Sequence, residues 1–416
     1  VEKLNGALAT SDIPWKEVDG KDYPQLLAAG EKLVILKPLY GVSTAKVQLN
    51  GKDLQSGAIS GETVTLTGEN VFYRVGETGD WTKIGAEGAA VSLKDAGRMV
   101  TIYYASEDEL NAPKWYEEHK EETTFTIRNA SELAYLAQLV NTKTESFSGK
   151  TVVLGNDIDL SSVCHGADEA NGIAAANWTP IGAYNSYRDN KPFDGTFDGK
   201  GHTIRGLYIQ TSNNRQGLFG YVSGSVRNLI VTGTVDGGSA NNVAGIAGSV
   251  SYSAKIENCG FYGSVISTSA YSAGGVVGGG GNSNTVTGCW YYYTGDQTDG
   301  SYALGVCGGT PGGYCYHNVN NNKVKTRGNY IPNDGFAAGV AVNLNVFAFQ
   351  NSTSEKELCL WRSEDGTLHP EFDTAADRSK LTAVGLAKSV ERSTVEGQAA
   401  LRVNGAQVQS CLAEKG

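Results

Sequence analysis

Gly217-Leu218-Phe219-Gly220, Gly245-Ile246-Ala247-Gly248, Gly275-Val276-Val277-Gly278 and Gly305-Val306-Cys307-Gly308 are one motif written four times, at intervals of 28, 30 and 30 residues. A second column keeps the same phase. Ser225-Val226-Arg227-Asn228-Leu229, Lys255-Ile256-Glu257-Asn258-Cys259 and Thr285-Val286-Thr287-Gly288-Cys289 lie 30 apart, and Gly233-Thr234-Val235 with Gly263-Ser264-Val265 makes a third column. A fixed period of this size marks an array of small units, none of which can bury its apolar face alone. Each unit here consists of short runs punctuated by Gly and small polar turns, with no long stretch of helical periodicity. Leucine-rich, ankyrin and tetratricopeptide arrays are thereby excluded.

The economical solution winds each unit once about an axis and stacks its strands in parallel, about 4.8 Å apart. The fold class predicted is all-β, a right-handed parallel β-helix. Equivalent positions then form ladders along the axis. Leu229, Cys259 and Cys289 make one that points inward, continued by Cys315 where the Pro311-Gly312-Gly313 turn shortens a coil. Gly217, Gly220, Gly245, Gly248, Gly275, Gly278, Gly305 and Gly308 are read as structural, corners where a Cβ would clash or φ must be positive. A solenoid exposes apolar core at both ends. Asn129 and Glu132 have the spacing of a capping box and open a short helix at 130–140, whose Leu133, Leu136, Ala137 and Val140 share one face. That helix is expected to cover one end, and the apolar segment from Phe336 to Trp361 the other.

Outside the array the texture changes. Residues 1–106 hold a mixed N-terminal segment and then runs such as Leu33-Val34-Ile35-Leu36, Thr63-Val64-Thr65-Leu66 and Met99-Val100-Thr101-Ile102-Tyr103-Tyr104. Strands at this spacing without helices predict a small, Ig-like antiparallel β-sandwich. Residues 107–123, dense in Glu and Lys, read as a charged linker or an exposed helix, 124–372 as the capped solenoid, and 373–416 as a short C-terminal β segment. Of the 416 residues 54 are Gly and 9 Pro, without a Gly-X-Y period, so the surplus glycine is not collagenous. The net charge of −10, with no basic stripe, argues against nucleic acid or anionic lipid as a partner. No run of about 18 apolar residues is present to span a membrane. The chain begins at Val1 rather than Met, which reads as a processed or excised portion of something longer.

The succession Phe125-Thr126-Ile127, Gly155-Asn156-Asp157-Ile158-Asp159-Leu160, Trp178-Thr179-Pro180-Ile181-Gly182 and Phe193-Asp194-Gly195-Thr196-Phe197-Asp198-Gly199-Lys200-Gly201-His202-Thr203-Ile204, followed by the Gly-Leu-Phe-Gly unit and its successors, resembles the GLUG-motif β-helix modules of large bacterial cell-surface proteins. Trp361 and the stretch Asp365-Gly366-Thr367-Leu368-His369-Pro370 resemble their closing segment. The resemblance covers about 124–372. It implies an extracellular or cell-surface setting and a non-catalytic module. Similar modules accompany immunoglobulin A-cleaving zinc metallopeptidases, and the resemblance supplies no catalytic residues to carry over.

His119, His165, His202, His317 and His369 include no H-E-x-x-H pair, so no zinc-peptidase site and no other metal site is expected. A β-helix polysaccharide lyase or hydrolase needs clustered carboxylates beside a basic group. Asp194, Asp198, His202 and Arg205 are the nearest approach, yet both aspartates precede Gly, as in a tight turn. Asp157 and Asp159 share a strand face and read as a solvated edge rather than a calcium site. Cys259 and Cys289 read as buried inert thiols. Cys307 and Cys315, flanking one turn, are the most plausible disulfide pair among the seven cysteines. Along Trp290-Tyr291-Tyr292-Tyr293 side chains alternate; with Cys289 inward, Tyr291 and Tyr293 point in and Trp290 and Tyr292 point out. Trp290, Tyr292, Tyr184, Tyr187 and Tyr271 are therefore the candidate ligand-binding residues, since exposed rings suit glycan or protein recognition. The expected function is a non-catalytic, extracellular host-ligand-binding scaffold or adhesin without a cofactor. Its partner would be a host glycan or glycoprotein, immunoglobulins included. The alternatives are a carbohydrate-active β-helix enzyme and a purely structural stalk.

Overall fold

The computed structural model describes residues 16, 25–40, 43, 45–53, 56–167, 175–186, 189–268, 273–295, 305–319, 327–364 and 366–375, and the backbone of 15, 390–395, 398–403 and 406–408. These fall into two compact units. One lies within 1–118, with 130–135 and 162–177; the other is drawn from 119–129, 136–161 and 178–416.

In the first unit a five-stranded sheet runs in the order Ser56–Ile59, Lys32–Pro38, Met99–Ser106, Val71–Val75, Thr82–Lys83, and a three-stranded sheet in the order Gln48–Leu49, Thr63–Thr67, Ala89–Ser92. Alternate residues of both sheets, including Val34, Leu36, Val64, Leu66, Val91, Val100 and Ile102, meet in one apolar core. Residues on opposite faces of a strand alternate, which is why Ile102 and Tyr104 are buried while Tyr103 between them is not. One pairing departs from the antiparallel expectation. The first and last long strands, Lys32–Pro38 and Met99–Ser106, lie side by side in parallel, with the intervening strands forming the crossover that a parallel neighbour requires.

The stretch read as a charged linker or an exposed helix holds helix α1 (Glu107–Glu117), with one buried face. Ser106 caps it: the Glu109 amide donates to Ser106 Oγ at 3.2 Å and the Ser106 amide to Glu109 Oε2 at 2.6 Å, a capping box. Glu109 is itself buried and accepts a hydrogen bond from Ser43 Oγ at 2.7 Å, while Ala112, Trp115 and Tyr116 bury the face beneath the charged surface. The Glu and Lys residues that suggested a linker occupy the solvated side of an amphipathic helix.

The second unit is a parallel β-helix of about six turns. Strands Thr124–Ile127, Thr151–Leu154, Thr196–Asp198, Ser225–Asp236, Lys255–Ile266, Trp290–Tyr293, Tyr316–His317 and Asn329–Tyr330 each pair in parallel with the next. Register is exact enough to align Phe125, Val152, Phe197, Val226, Ile256 and Val286 in one interior column. Leu229 faces Cys259, and Cys289 and Cys315 follow in phase, all fully buried, as the repeat predicts. Helix α2 (Ala130–Asn141) has Leu133, Leu136, Leu139 and Val140 buried, and ends on Asn141, whose side chain donates to Pro180 O at 3.0 Å and accepts from the Gly182 amide at 2.9 Å.

The motif glycines serve close approach rather than unusual backbone. Of the eight, only Gly305 has a positive φ, at 86°. A Cβ at Gly245 would overlap the Phe261 ring and one at Gly275 the Tyr291 ring, while Gly220, Gly248 and Gly278 lie against the backbone of neighbouring coils. The left-handed corner sits in another column, at Asn228 (φ 53°), Asn258 (φ 55°) and Gly288 (φ 61°). Asn and Gly are the residues that enter this region at least cost.

The two asparagines are fully buried, and their amides form a ladder. Asn258 Nδ2 donates to Asn228 Oδ1 and Asn228 Nδ2 to Asp198 Oδ1, each at 2.9 Å. Along this ladder runs an extended strap, residues 357–361. Asn228 donates to Glu357 O and accepts from the Cys359 amide, Asn258 donates to Cys359 O, and Trp361 Nε1 donates to Asn258 Oδ1 at 2.6 Å.

Helix α3 (Phe336–Asn351) was expected across the end of the solenoid. The structure lays it on the flank instead. Its Phe336, Val340, Ala341 and Leu344 join Trp361 and Phe372 over Ile230, Trp290, Tyr292 and Tyr316, side chains that point outward from successive coils. Gly260 makes room, since a Cβ there would overlap the Trp290 indole, and Gly288 does the same for Phe347 of α3.

In the last coils the interior holds His317, fully buried, with neither ring nitrogen hydrogen-bonded among the described residues. Burial lowers its pKa to about 4.

Asn258→Gly keeps the left-handed corner but removes the amide, and Asn258→Ala removes both. Chemical denaturation should show Asn258→Gly destabilised by about 2 kcal/mol, the scale of buried groups left unpaired, with Asn258→Ala worse; equal stability of wild type and Asn258→Gly would dismiss the ladder. For His317, the folded pKa lies below the unfolded value of about 6.5, so the unfolded state binds the extra proton between them. Stability should therefore be intact above about pH 6.5 and fall by about 3 kcal/mol as pH drops toward 4. That component should vanish in His317→Phe, measured as the difference between the two proteins' unfolding free energies across this range.

Candidate functional site

Of the aromatics singled out from sequence, the structure places Tyr184 in a surface cluster and removes two others from the surface. Trp290 and Tyr292 do point away from the barrel interior, but α3 and the strap cover them, leaving exposures of 0% and 5%. Neither presents a free ring face. Tyr291 and Tyr293 point inward as alternation requires, and Tyr291 packs on Phe261 with ring centroids 6.0 Å apart. Tyr187 and Tyr271 lie outside the described residues.

Tyr184 belongs to a short antiparallel hairpin, Ala183–Ser186 with Asp189–Lys191, that interrupts the coils ahead of the repeat. Gly182 opens it with φ of 80°, and Asn141 holds the Gly182 amide from the end of α2. Tyr221 comes from the strand Phe219–Val222, where Phe219 and Val222 are buried and Tyr221 between them faces outward. The two rings meet edge-to-face at 5.1 Å. Arg215 arrives from the loop before the first Gly-Leu-Phe-Gly motif, with φ of 64°, and its guanidinium lies 4.7 Å from the Tyr184 ring centre. The Arg215 amide donates to Asn241 O at 2.9 Å, and Gly248 of the next motif passes so near that a Cβ would overlap the Arg215 backbone. The motif glycine thus helps fix the cation. Burial and the neighbouring Tyr184 raise the pKa of the Tyr221 hydroxyl, with Arg215 opposing them, so the phenol stays a neutral donor and acceptor. A half-buried pair of tyrosines with a stacked guanidinium offers ring faces, hydroxyls and one positive charge on a rigid support.

The carboxylates considered for catalysis are built into the frame. Asp198, 1% exposed, binds Arg227 Nε at 2.9 Å, Asn228 Nδ2 at 2.9 Å and the Lys200 amide at 3.0 Å, the last being the turn expected of Asp-Gly. Asp194 accepts from Ser223 Oγ at 2.7 Å. Asp157 joins Arg205 at 2.8 Å and His202 at 3.2 Å. Burial raises its pKa, but the Thr203 amide, Arg205 and His202 outweigh that and hold it below the ordinary carboxylate value. Asp159 accepts from the Ser161 amide at 2.8 Å. His202 and Arg205 are thus partners of Asp157, not of Asp194 and Asp198.

The thiols follow the repeat. Cys259, Cys289, Cys307 and Cys315 are all free, so the candidate pair Cys307 and Cys315 is not bridged. Cys315 stays in the interior ladder beneath Cys289, while Cys307 belongs to the fourth Gly motif, on a different side of the coil. Burial pushes the Cys289 and Cys315 thiols well up and that of Cys307 to about 12, which suppresses the thiolate a nucleophile needs. Among the described residues no group of three or more His, Cys, Asp or Glu side chains is placed to hold a metal ion.

Arg215 and Tyr221 were missed from sequence. They lie 31 and 37 residues after Tyr184, and only the winding of the coils brings them to it.

No protein-family model matches the chain, and no curated protein matches it. Among solved structures it is similar to the crystal structure of a "putative immunoglobulin A1 protease" from Bacteroides ovatus, at 14% identity and a TM-score of 0.31, over 61% of this chain and 93% of that one.

Proposed function

We propose that this chain is a non-catalytic, ligand-binding scaffold of the GLUG type, working on an extracellular or cell-surface protein and recognising a glycan or glycoprotein of a host. The Tyr184–Arg215–Tyr221 cluster carries this reading. It is a preformed aromatic and cationic surface, held by the ends of helix and coil rather than by a long loop, and rigid rings of this kind contribute contact area at little entropic cost. The engagement of Asp157, Asp194 and Asp198 in turns and ion pairs supports binding over hydrolysis, because each carboxylate already has a structural partner. The GLUG-type assignment rests on the ordered motifs in the sequence.

The test is a panel of glycans and host glycoproteins, immunoglobulins included, presented to the full chain. A ligand should be found whose affinity falls roughly tenfold in Tyr184→Ala and in Arg215→Ala, with thermal unfolding unchanged by Arg215→Ala. Release of oligosaccharide from any polysaccharide in the panel would replace this reading with an enzymatic one. Absence of any ligand would leave a structural stalk.

A further inference from the structure

The outer face of the five-stranded sheet in the first unit carries a second ordered row. Tyr103 is paired with Lys37 on one neighbouring strand and with Arg74 on the other. Lys37 Nζ lies 5.6 Å from the Tyr103 ring centre, Arg74 Cζ lies 5.3 Å from it on its other strand neighbour, and Trp81 stands 4.8 Å from the same guanidinium. The order across the sheet is therefore cation, ring, cation, ring. Lys83 adds a third positive charge, 5.6 Å from the Phe72 ring with which its residue is paired. The core lies on the opposite face, where Ile102 and Tyr104 are buried.

Two features distinguish this row from a solvated charged surface. First, none of Lys37, Arg74 and Lys83 has a carboxylate partner among the described residues, in a chain of net charge −10. Glu77 accepts from the Tyr103 hydroxyl at 3.5 Å rather than pairing with one of these cations. Second, Arg74 is held between two rings, with its Nε shut off from solvent and without a hydrogen-bond partner. A guanidinium fixed in this way keeps its fork of donors in one orientation, the geometry that receives a carboxylate through two parallel hydrogen bonds.

We infer that this face binds a carboxylate-bearing saccharide, a sialic or uronic acid, with the carboxylate on Arg74 and the sugar ring against Trp81. Such a sugar carries its anion directly on a rigid ring whose C–H face suits an indole, so one residue of ligand meets both members of the Arg74–Trp81 pair. An acidic peptide would satisfy the guanidinium and leave the indole without a matching surface. Lys37 stands two strand spacings from Arg74, about 10 Å, and is placed to meet a second charge along a polymer. This site is independent of the Tyr184 cluster, and the two fail separately.

The experiment titrates the full chain, by calorimetry, with sialyllactose, lactose, trigalacturonate and a short poly-glutamate peptide. Binding of sialyllactose or trigalacturonate is expected, with lactose at least tenfold weaker, and the comparison of the two acidic sugars separates a host glycan from a uronate polymer. Arg74→Lys keeps the charge but loses the fork and should cost tenfold or more; Lys37→Gln, at an exposed position with little bearing on folding, should weaken trigalacturonate several-fold. Tyr184→Ala should leave these affinities unchanged. Equal binding of lactose, equal or tighter binding of the peptide, or unaltered affinity in both Arg74→Lys and Lys37→Gln would overturn the inference.

Discussion

An amide buried with zero exposure needs a partner for every donor and acceptor, and that requirement at Asn228 and Asn258 organises the solenoid. Each corner turns in the left-handed region, which selects Asn or Gly. Once Asn is chosen, its side chain is enclosed by the coils above and below. Stacking satisfies one bond to the neighbouring rung, and the strap at 357–361 supplies the others. The strap brings Trp361 onto Asn258, Trp361 packs with Phe372, and α3 closes over Trp290 and Tyr292. A polar demand at one corner thus determines which outward aromatics reach solvent.

The sequence made the solenoid legible because its period is carried by residues that touch one another. Leu229, Cys259, Cys289 and Cys315 keep phase since each stacks on the last. What escaped were partners outside the period. The alternation rule placed Trp290 and Tyr292 outward correctly, but whether an outward face is wet depends on α3, which begins 46 residues after Trp290. That helix is apolar on nearly every side, which marked it as a cover without marking what it covers. The Ser106 and Glu109 capping box was equally present in the sequence, hidden by the charged residues on the other face of α1.

The two candidate binding surfaces share a device. In each, a guanidinium lies on an aromatic ring whose position is set by backbone pairing: Arg215 on Tyr184 at the hairpin, Arg74 on Tyr103 in the sheet. Pairing fixes the ring, the ring fixes the cation, and the cation is ready for a ligand without reorganisation. Among the described residues, Tyr184 is the one expected from sequence that takes part, because the arginines are contributed by neighbouring strands and loops, and no spacing rule reveals them.

The strap has one further consequence, for the growth of such a protein. Asn228 and Asn258 stand one coil apart, and the strap carbonyls that meet them belong to Glu357 and Cys359, two residues apart. The strap is therefore a ruler, graduated at two residues per coil. Duplicating a 30-residue coil at this corner, the ordinary way a repeat array lengthens, would leave one buried amide without its graduation unless two residues were added at the same time about 100 positions downstream. The number of coils in this stretch is locked to the length of a segment that is not itself repeated.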